Sequence, residues 1–264
     1  MKRRFIAGVV AAVALLSSCA SVGSKELVIL HTNDTHSQIE SIRSGYGKGL
    51  AGVDRRAEYF DQVRKENKNV LILDAGDWDQ GTPYFTVFKG DMEIELMNAM
   101  GYDACAIGNH EFDSGLENMA RLFTMASFHV VCANYDFTGT ACEGLVKPYV
   151  VIERGGKRVG VFGLSPDPSG LVAEDYYKGV KFLSPIEAAC KAVEALEKEG
   201  CDAIVCLSHL GWQTKSEYND KRVIAETSGI DVLLGGHSHD YFERPLVCKN
   251  KDGKDVVVQQ MGRN

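Results

Sequence analysis

Five short clusters of metal-type ligands punctuate the chain, each placed directly after an apolar run. They are Asp34-Thr35-His36, Gly76-Asp77, Gly108-Asn109-His110-Glu111 with Asp113, Ser208-His209, and Gly235-Gly236-His237-Ser238-His239. Of the chain's seven histidines, five lie in these clusters. Carboxylate oxygen, imidazole nitrogen and amide oxygen together suit hard-to-borderline divalent cations, and one carboxylate can bridge two of them. Glycine beside Asp77, Asn109 and His237 permits the sharp turn that aims a ligand back over a strand end. Taken singly, each cluster has a plain structural reading. Asp-x-His after a strand is often a turn with a capping aspartate, Gly-Asp is a common turn, and Asn109 with Glu111 can simply open a helix and favour its dipole. Five clusters in order, each closing an apolar run, outweigh those readings. His31, in the first strand-end segment, and His129, which opens a strand, read as structural.

The elements that must position these groups alternate. Apolar runs at 26–31, 69–74, 103–107, 129–132, 203–207 and 231–234 read as buried strands, and 256–260 as a last one. Helical spacing is expected over 53–66, 92–100, 116–125 and around 218–226. The clearest helix is 184–199, with Ser184 as N-cap, Pro185 in the first turn, Glu187 at the capping-box position and Gly200 at the end. Segments 149–153 and 158–164 form a hairpin around Gly155-Gly156, so at least one sheet is mixed. This order describes an α/β protein whose sheets are covered by helices. In such folds ligands bind beyond the carboxyl ends of strands, where the five clusters lie.

The start of the chain reads as an export signal, residues 1–18. Lys2, Arg3 and Arg4 precede an apolar run at 5–16 that is too short for a comfortable membrane span. The run ends in Leu16-Ser17-Ser18-Cys19, which resembles a bacterial lipobox with Cys19 as the lipidated N-terminus; an ordinary cleavage nearby, for instance after Ala20, is the alternative. Residues 19–25 would be a tether and 26–264 a single catalytic domain, lipid-anchored to the cell envelope on a periplasm-facing membrane. The formal charge of −7 becomes more negative by three when the basic signal is removed. Such a surface lacks the basic track that nucleic acid polymers require, so cations must supply the attraction for any anionic substrate. The cysteines after Cys19 are odd in number. Cys105, Cys190, Cys201 and Cys206 resemble small buried hydrophobes, Cys132 and Cys142 are the most plausible disulfide pair, and no disulfide framework is indicated.

The motifs His31-Thr-Asn-Asp-Thr-His36, Gly76-Asp77 with Gln80-Gly-Thr-Pro83, Gly108-Asn-His-Glu-Phe-Asp113, Leu207-Ser-His-Leu-Gly211 and Gly235-Gly-His-Ser-His239 resemble the calcineurin-like metallophosphoesterases. Within that superfamily they are similar to the catalytic domain of bacterial 5′-nucleotidases and 2′,3′-cyclic nucleotide phosphodiesterases. The resemblance implies a four-layer sandwich, two mixed β-sheets packed face to face with helices outside. It also implies two divalent ions (Zn, Mn, Co or Fe), one held by Asp34, His36 and His239, the other by Asn109, His209 and His237, with Asp77 bridging. His110, paired with Asp113, would sit beside the phosphoryl group as a catalytic residue. The implied reaction is hydrolysis of a small phosphorylated substrate, nucleoside 5′-monophosphates leading, by hydroxide activated on the metals. A cyclic-phosphate diesterase, a hydrolase of a sulfur-containing ester, and a docking subunit with little activity alone are the alternatives. Ser37 departs from a common glycine, Trp78-Asp79 from the usual apolar or aromatic pair, and the motifs of a second, base-gripping domain do not follow. A separate polypeptide could supply that domain.

Overall fold

The computed structural model describes residues 26–45 and 47–263, so the expected signal segment at 1–18, Cys19 and the expected tether at 19–25 lie outside the described residues. Four strands form the first sheet in sequence order: β1 (Val28–Thr32), β2 (Val70–Asp74), β3 (Ala104–Ala106) and β4 (His129–Val131). All three pairings are parallel. The expectation of two mixed sheets therefore holds for one sheet only, because each connection within the first sheet contains a helical crossover and returns the chain in the same direction.

A short antiparallel pair, β5 (Tyr135–Asp136) and β8 (Lys181–Phe182), stands apart. The larger sheet contains β6 (Tyr149–Arg154), β7 (Lys157–Leu164), β9 (Ala203–Ser208), β10 (Val232–Gly235), β11 (Leu246–Lys249) and β12 (Asp255–Gln259), in the order β11-β12-β10-β9-β7-β6. Its interior pairs are parallel, and the two edges, β6 on β7 and β11 on β12, are antiparallel. The β6–β7 pair is the hairpin around Gly155-Gly156 that the sequence implies.

Strand alternation explains the layering. Leu71 and Leu73 of β2 pack with Val159 and Val161 of β7 and Val205 and Leu207 of β9, forming the core between the sheets. Ile72, on the opposite face, packs against α1 (Val53–Glu66), α3 (Asp91–Met100) and α4 (Gly115–Met125) through Phe60, Ile94, Met97 and Leu122. On the far side, Ile204 and Cys206 pack against α5 (Pro185–Lys198) and α6 (Asp220–Glu226) through Ala189, Leu196 and Val223. The result is helix, sheet, sheet, helix. Both faces of each central strand are buried, which is why these strands read as continuous apolar runs. The sheets approach closely at Gly163, where a Cβ would stand 2.1 Å from the carbonyl oxygen of Val131.

Ser184 accepts from the Glu187 amide, as its N-cap position predicts. The helix expected at 218–226 starts at Asp220 instead, because Asn219 caps it by accepting from the Arg222 amide. A further helix, α2 (Pro83–Phe88), follows the second ligand loop. The described cysteines are all free. Cys132 turns its thiol to Asn134 and Ser165, Cys142 to the Leu116 carbonyl, and Cys190 is exposed on α5 rather than buried.

Candidate metal centre

Ligand loops leave the carboxyl ends of β1, β2, β3, β9 and β10 and are stitched to one another by backbone bonds. Asp34 and His36 donate their amides to Gly76 and Asp77, and Gly236 donates to Ser208. Asp34, His36, Asp77, His237 and His239 all have positive φ, between 45° and 69°. Left-handed backbone costs a non-glycine residue about 1–2 kcal/mol, and such strain persists where the surroundings over-determine a functional geometry. Here it turns each side chain inward from a loop end.

Asp34, His36, Asp77, His209, His237 and His239, six of the side chains expected to converge, are brought together. Asp34 Oδ1 lies 3.4 Å from His239 Nε2 and 3.9 Å from His36 Nε2, and the two imidazole nitrogens are 3.1 Å apart. His209 Nε2 lies 3.0 Å from Asp77 Oδ2 and 3.8 Å from Asp34 Oδ1. Two ligand groups result, Asp34 with His36 and His239, and Asp77 with His209 and His237. Asp77 also groups with His36 and His110, so it stands between the two sets. Donor atoms around an ion at about 2.0–2.1 Å lie about 2.9–3.4 Å from one another, and most of these separations match. Asn109 is buried, and its Oδ1 has no hydrogen-bond partner. An unsatisfied buried amide oxygen costs about 1–3 kcal/mol, which a cation would relieve. The residues present therefore fit divalent cations.

Electrostatics point the same way. Burial works against charge on Asp77, yet the neighbouring His209 and His110 hold its carboxyl below the ordinary range. Burial likewise opposes protonation of His209, but Asp77 and Asp34 outweigh it and raise its pKa to about 10. The two carboxylates thus favour positive charge at His209. Burial, reinforced by the His209 charge, lowers His237 to about 4, and burial also lowers His36. Both therefore present the neutral imidazole that metal coordination needs.

His110 is more open, its side chain 31 % exposed, and its Nδ1 lies 2.7 Å from Asp113 Oδ2. Its amide donates to Asp77 Oδ1 at 2.9 Å. Although burial lowers the His110 pKa, Asp113 and Asp77 reverse that and favour imidazolium. With His36 and His239, His110 lines an open cleft of about 290 Å³ together with Gln38, Gln80, Gly81 and Arg263. A larger cavity of about 380 Å³, beside His31, Arg55 and Arg56, contains none of the candidate ligands. His31 is in β1, where burial pushes its pKa to about 4, and His129 opens β4; neither reaches the centre.

Sequence reasoning missed the residues that tie the loops together. Glu111 is buried and accepts amide bonds from Gly108, Asp77, Trp78 and Asp79, joining the second and third loops. Asn33 donates to Asp34 Oδ2 and to the Gly262 carbonyl and accepts from the Met261 amide. Both lie inside quoted motifs, but nothing in their types reveals their partners. Ser37 tolerates a φ of 56° and turns its hydroxyl to Thr82 and Glu93. Asp79 is fully enclosed with neither carboxyl oxygen hydrogen-bonded, and burial beside Glu111 and Glu93 raises its pKa well above the carboxylate range.

The model of the calcineurin-like phosphoesterase family matches residues 27–241, which include every candidate ligand. The chain belongs to that family. It is 34% identical over 262 residues to a snake venom 5′-nucleotidase of Gloydius brevicauda, covering 91% of this chain and 44% of the relative. The 5′-nucleotidase of Rattus norvegicus is also 34% identical, over 94% of this chain and 46% of its own length. The chain thus spans less than half the length of these curated relatives. Among solved structures, a 5′-nucleotidase precursor from Thermus thermophilus superposes with a TM-score of 0.81 at 39% identity, over 90% of this chain and 49% of that one. An NAD nucleotidase from Haemophilus influenzae gives 0.80 at 29% identity, over 90% and 45%. This phosphoesterase domain therefore has the helix–sheet–sheet–helix fold that the motifs imply.

Proposed function

We propose that this domain hydrolyses phosphate monoesters, nucleoside 5′-monophosphates first among them, using two divalent cations that share Asp77. The observation that carries the reading is the position of Asp77 between two ligand sets, each within a few ångströms of its carboxylate. Asp34, His36 and His239 would hold one ion, and Asn109, His209 and His237 the other. Bound there, such ions polarise a phosphoryl oxygen and lower the pKa of water from 15.7 to about 7. His110, open to the cleft and held by Asp113, donates a hydrogen bond to the phosphoryl group and can pass a proton to the leaving oxygen. Asp34, His36, Asp77, Asn109 and His209 are buried by the loops that carry them.

The 5′-nucleotidase relatives support the nucleotide choice. The chain matches under half of each relative, so the nucleotide preference stays within this proposal. Cys19 as a lipid anchor on a periplasm-facing membrane is likewise proposed, from Lys2-Arg3-Arg4, the apolar run and Leu16-Ser17-Ser18-Cys19. The test is an assay of the chain loaded with Mn²⁺, Zn²⁺ or Co²⁺ on p-nitrophenyl phosphate and on a nucleotide panel that includes 2′,3′-cyclic substrates. Turnover of monoesters supports the reading. Metal bound with no monoester turnover overturns it, and preference for the cyclic substrate replaces it with a diesterase.

A further inference from the structure

We propose that Arg263 is a substrate-binding residue that grips the terminal oxygens of a phosphate monoester and so favours monoesters over diesters. The inference rests on the phosphoesterase reading of the same cleft. Arg263 is the single guanidinium or ammonium among the described residues that line the cleft, beside the metal-set histidines His36 and His239 and the catalytic His110. Among the described residues no carboxylate lines the cleft, and Arg263 has no ion-pair partner. The side chain is exposed.

The backbone that presents Arg263 is pinned on both sides of the metal centre. The Met261 amide donates to Asn33 Oδ1 at 3.0 Å, and Asn33 donates back to the Gly262 carbonyl at 2.7 Å. The Gly262 amide donates to the Asp240 carbonyl at 2.8 Å. Asn33 is the chain neighbour of Asp34, and Asp240 that of His239. Arg263 is therefore held at the junction of two loops that carry ligands for the same ion set. Gly262, at a φ of 76°, makes the turn that directs the chain to the cleft.

The chemistry of the ligand follows from what the cleft offers. A monoester near neutral pH has three terminal oxygens and close to two negative charges, whereas a diester has two such oxygens and one charge. Arginine presents a planar fork of N–H donors that matches two phosphate oxygens at once. In an acidic protein this is the side chain able to select the more highly charged phosphoryl group at the site.

The test compares the full chain with Arg263→Ala and Arg263→Lys, all metal-loaded, on p-nitrophenyl phosphate and bis(p-nitrophenyl) phosphate. Calorimetry with inorganic phosphate gives a readout independent of turnover, and matched melting temperatures confirm folding. Arg263→Ala should raise KM for the monoester about tenfold, leave kcat within about twofold, and weaken phosphate binding by a similar factor. The monoester-to-diester ratio of kcat/KM should fall by about the same amount, with partial recovery in Arg263→Lys. Unchanged KM and unchanged phosphate affinity would overturn the proposal, as would equal losses on both esters. Should the parent chain turn over neither ester, the phosphoesterase reading fails, and the phosphate calorimetry still decides the role of Arg263.

Discussion

A methyl group at position 108 should dismantle the metal centre. Gly108 does not occupy the left-handed region, so alanine is compatible with its backbone, and the consequence of Gly108→Ala is purely one of space. The added Cβ would stand 2.2 Å from Asp77 Oδ1 and 2.7 Å from the Asp77 amide nitrogen. An ordinary carbon–oxygen contact is about 3.3 Å, so the carboxylate must retreat by roughly 1 Å. Asp77 cannot absorb that shift freely, since its Oδ1 accepts from the His110 amide and its own amide is held by Glu111. Metal sites tolerate only about 0.2 Å of ligand displacement, and a misplacement of 1 Å typically costs about 10²-fold in rate. Overpacking itself costs about 1–3 kcal/mol. Metal content by mass spectrometry, monoester turnover and thermal melting would be measured together. The expected outcome is loss of metal and at least about 10²-fold lower turnover, with a folded but destabilised domain. Gly163→Ala is the comparison: its clash, at 2.1 Å from the Val131 carbonyl, is equally severe but involves no candidate ligand, so stability should fall while metal binding survives. Full metal occupancy and unchanged turnover in Gly108→Ala would refute the role given to Asp77.

Three further outcomes follow from the geometry. His110→Ala should lower turnover about 10²-fold or more while metal content stays at the parent level; loss of metal would make His110 a ligand instead. Chelation should abolish turnover and lower the melting temperature, and excess Mn²⁺ or Zn²⁺ should restore both, whereas a melting temperature indifferent to chelator would argue against a structural contribution from bound ions. Burial raises the Asp74 carboxyl to about 7 from an ordinary value of 3.8. The folded state then binds the Asp74 proton more tightly than the unfolded state, so the stability this gives is present below about pH 4 and is lost as pH rises through about 7. Denaturant unfolding of Asp74→Asn between pH 4 and 7 should show a shallower decline in stability with pH than the parent; identical slopes would show that Asp74 does not titrate there.

Much of this molecule is legible in its residues because the fold and the site write different patterns. Continuous apolar runs such as Val70–Asp74 identify strands buried on both faces, and the polar clusters that end them locate the centre. Spacing could not show that β1 to β4 are all parallel, since direction is decided by where each crossover helix packs. The helix Pro83–Phe88 is short and rich in aromatic and β-branched residues, so its periodicity carries no helical signal. The edge strand Leu246–Lys249 alternates between half-buried and exposed positions and lacks the apolar density of its neighbours. At the centre, residue types announce the ligands, but the left-handed backbone of Asp34, His36, Asp77, His237 and His239 is imposed by tertiary contacts. Asn33 and Arg263 were hidden for the same reason. Asn33 meets the Met261 and Gly262 backbone more than two hundred residues along the chain, and Arg263 meets His36, Gln80 and His110 only once the fold brings their loops to one cleft.

The sharing of Asp77 can be seen directly. Anomalous diffraction from crystals of the chain grown with Mn²⁺ should show two peaks about 3.5–4 Å apart, with the Asp77 carboxylate between them, Asp34, His36 and His239 around one and Asn109, His209 and His237 around the other. A single peak, or two peaks of which one is out of reach of Asp77, would contradict the two-ion centre.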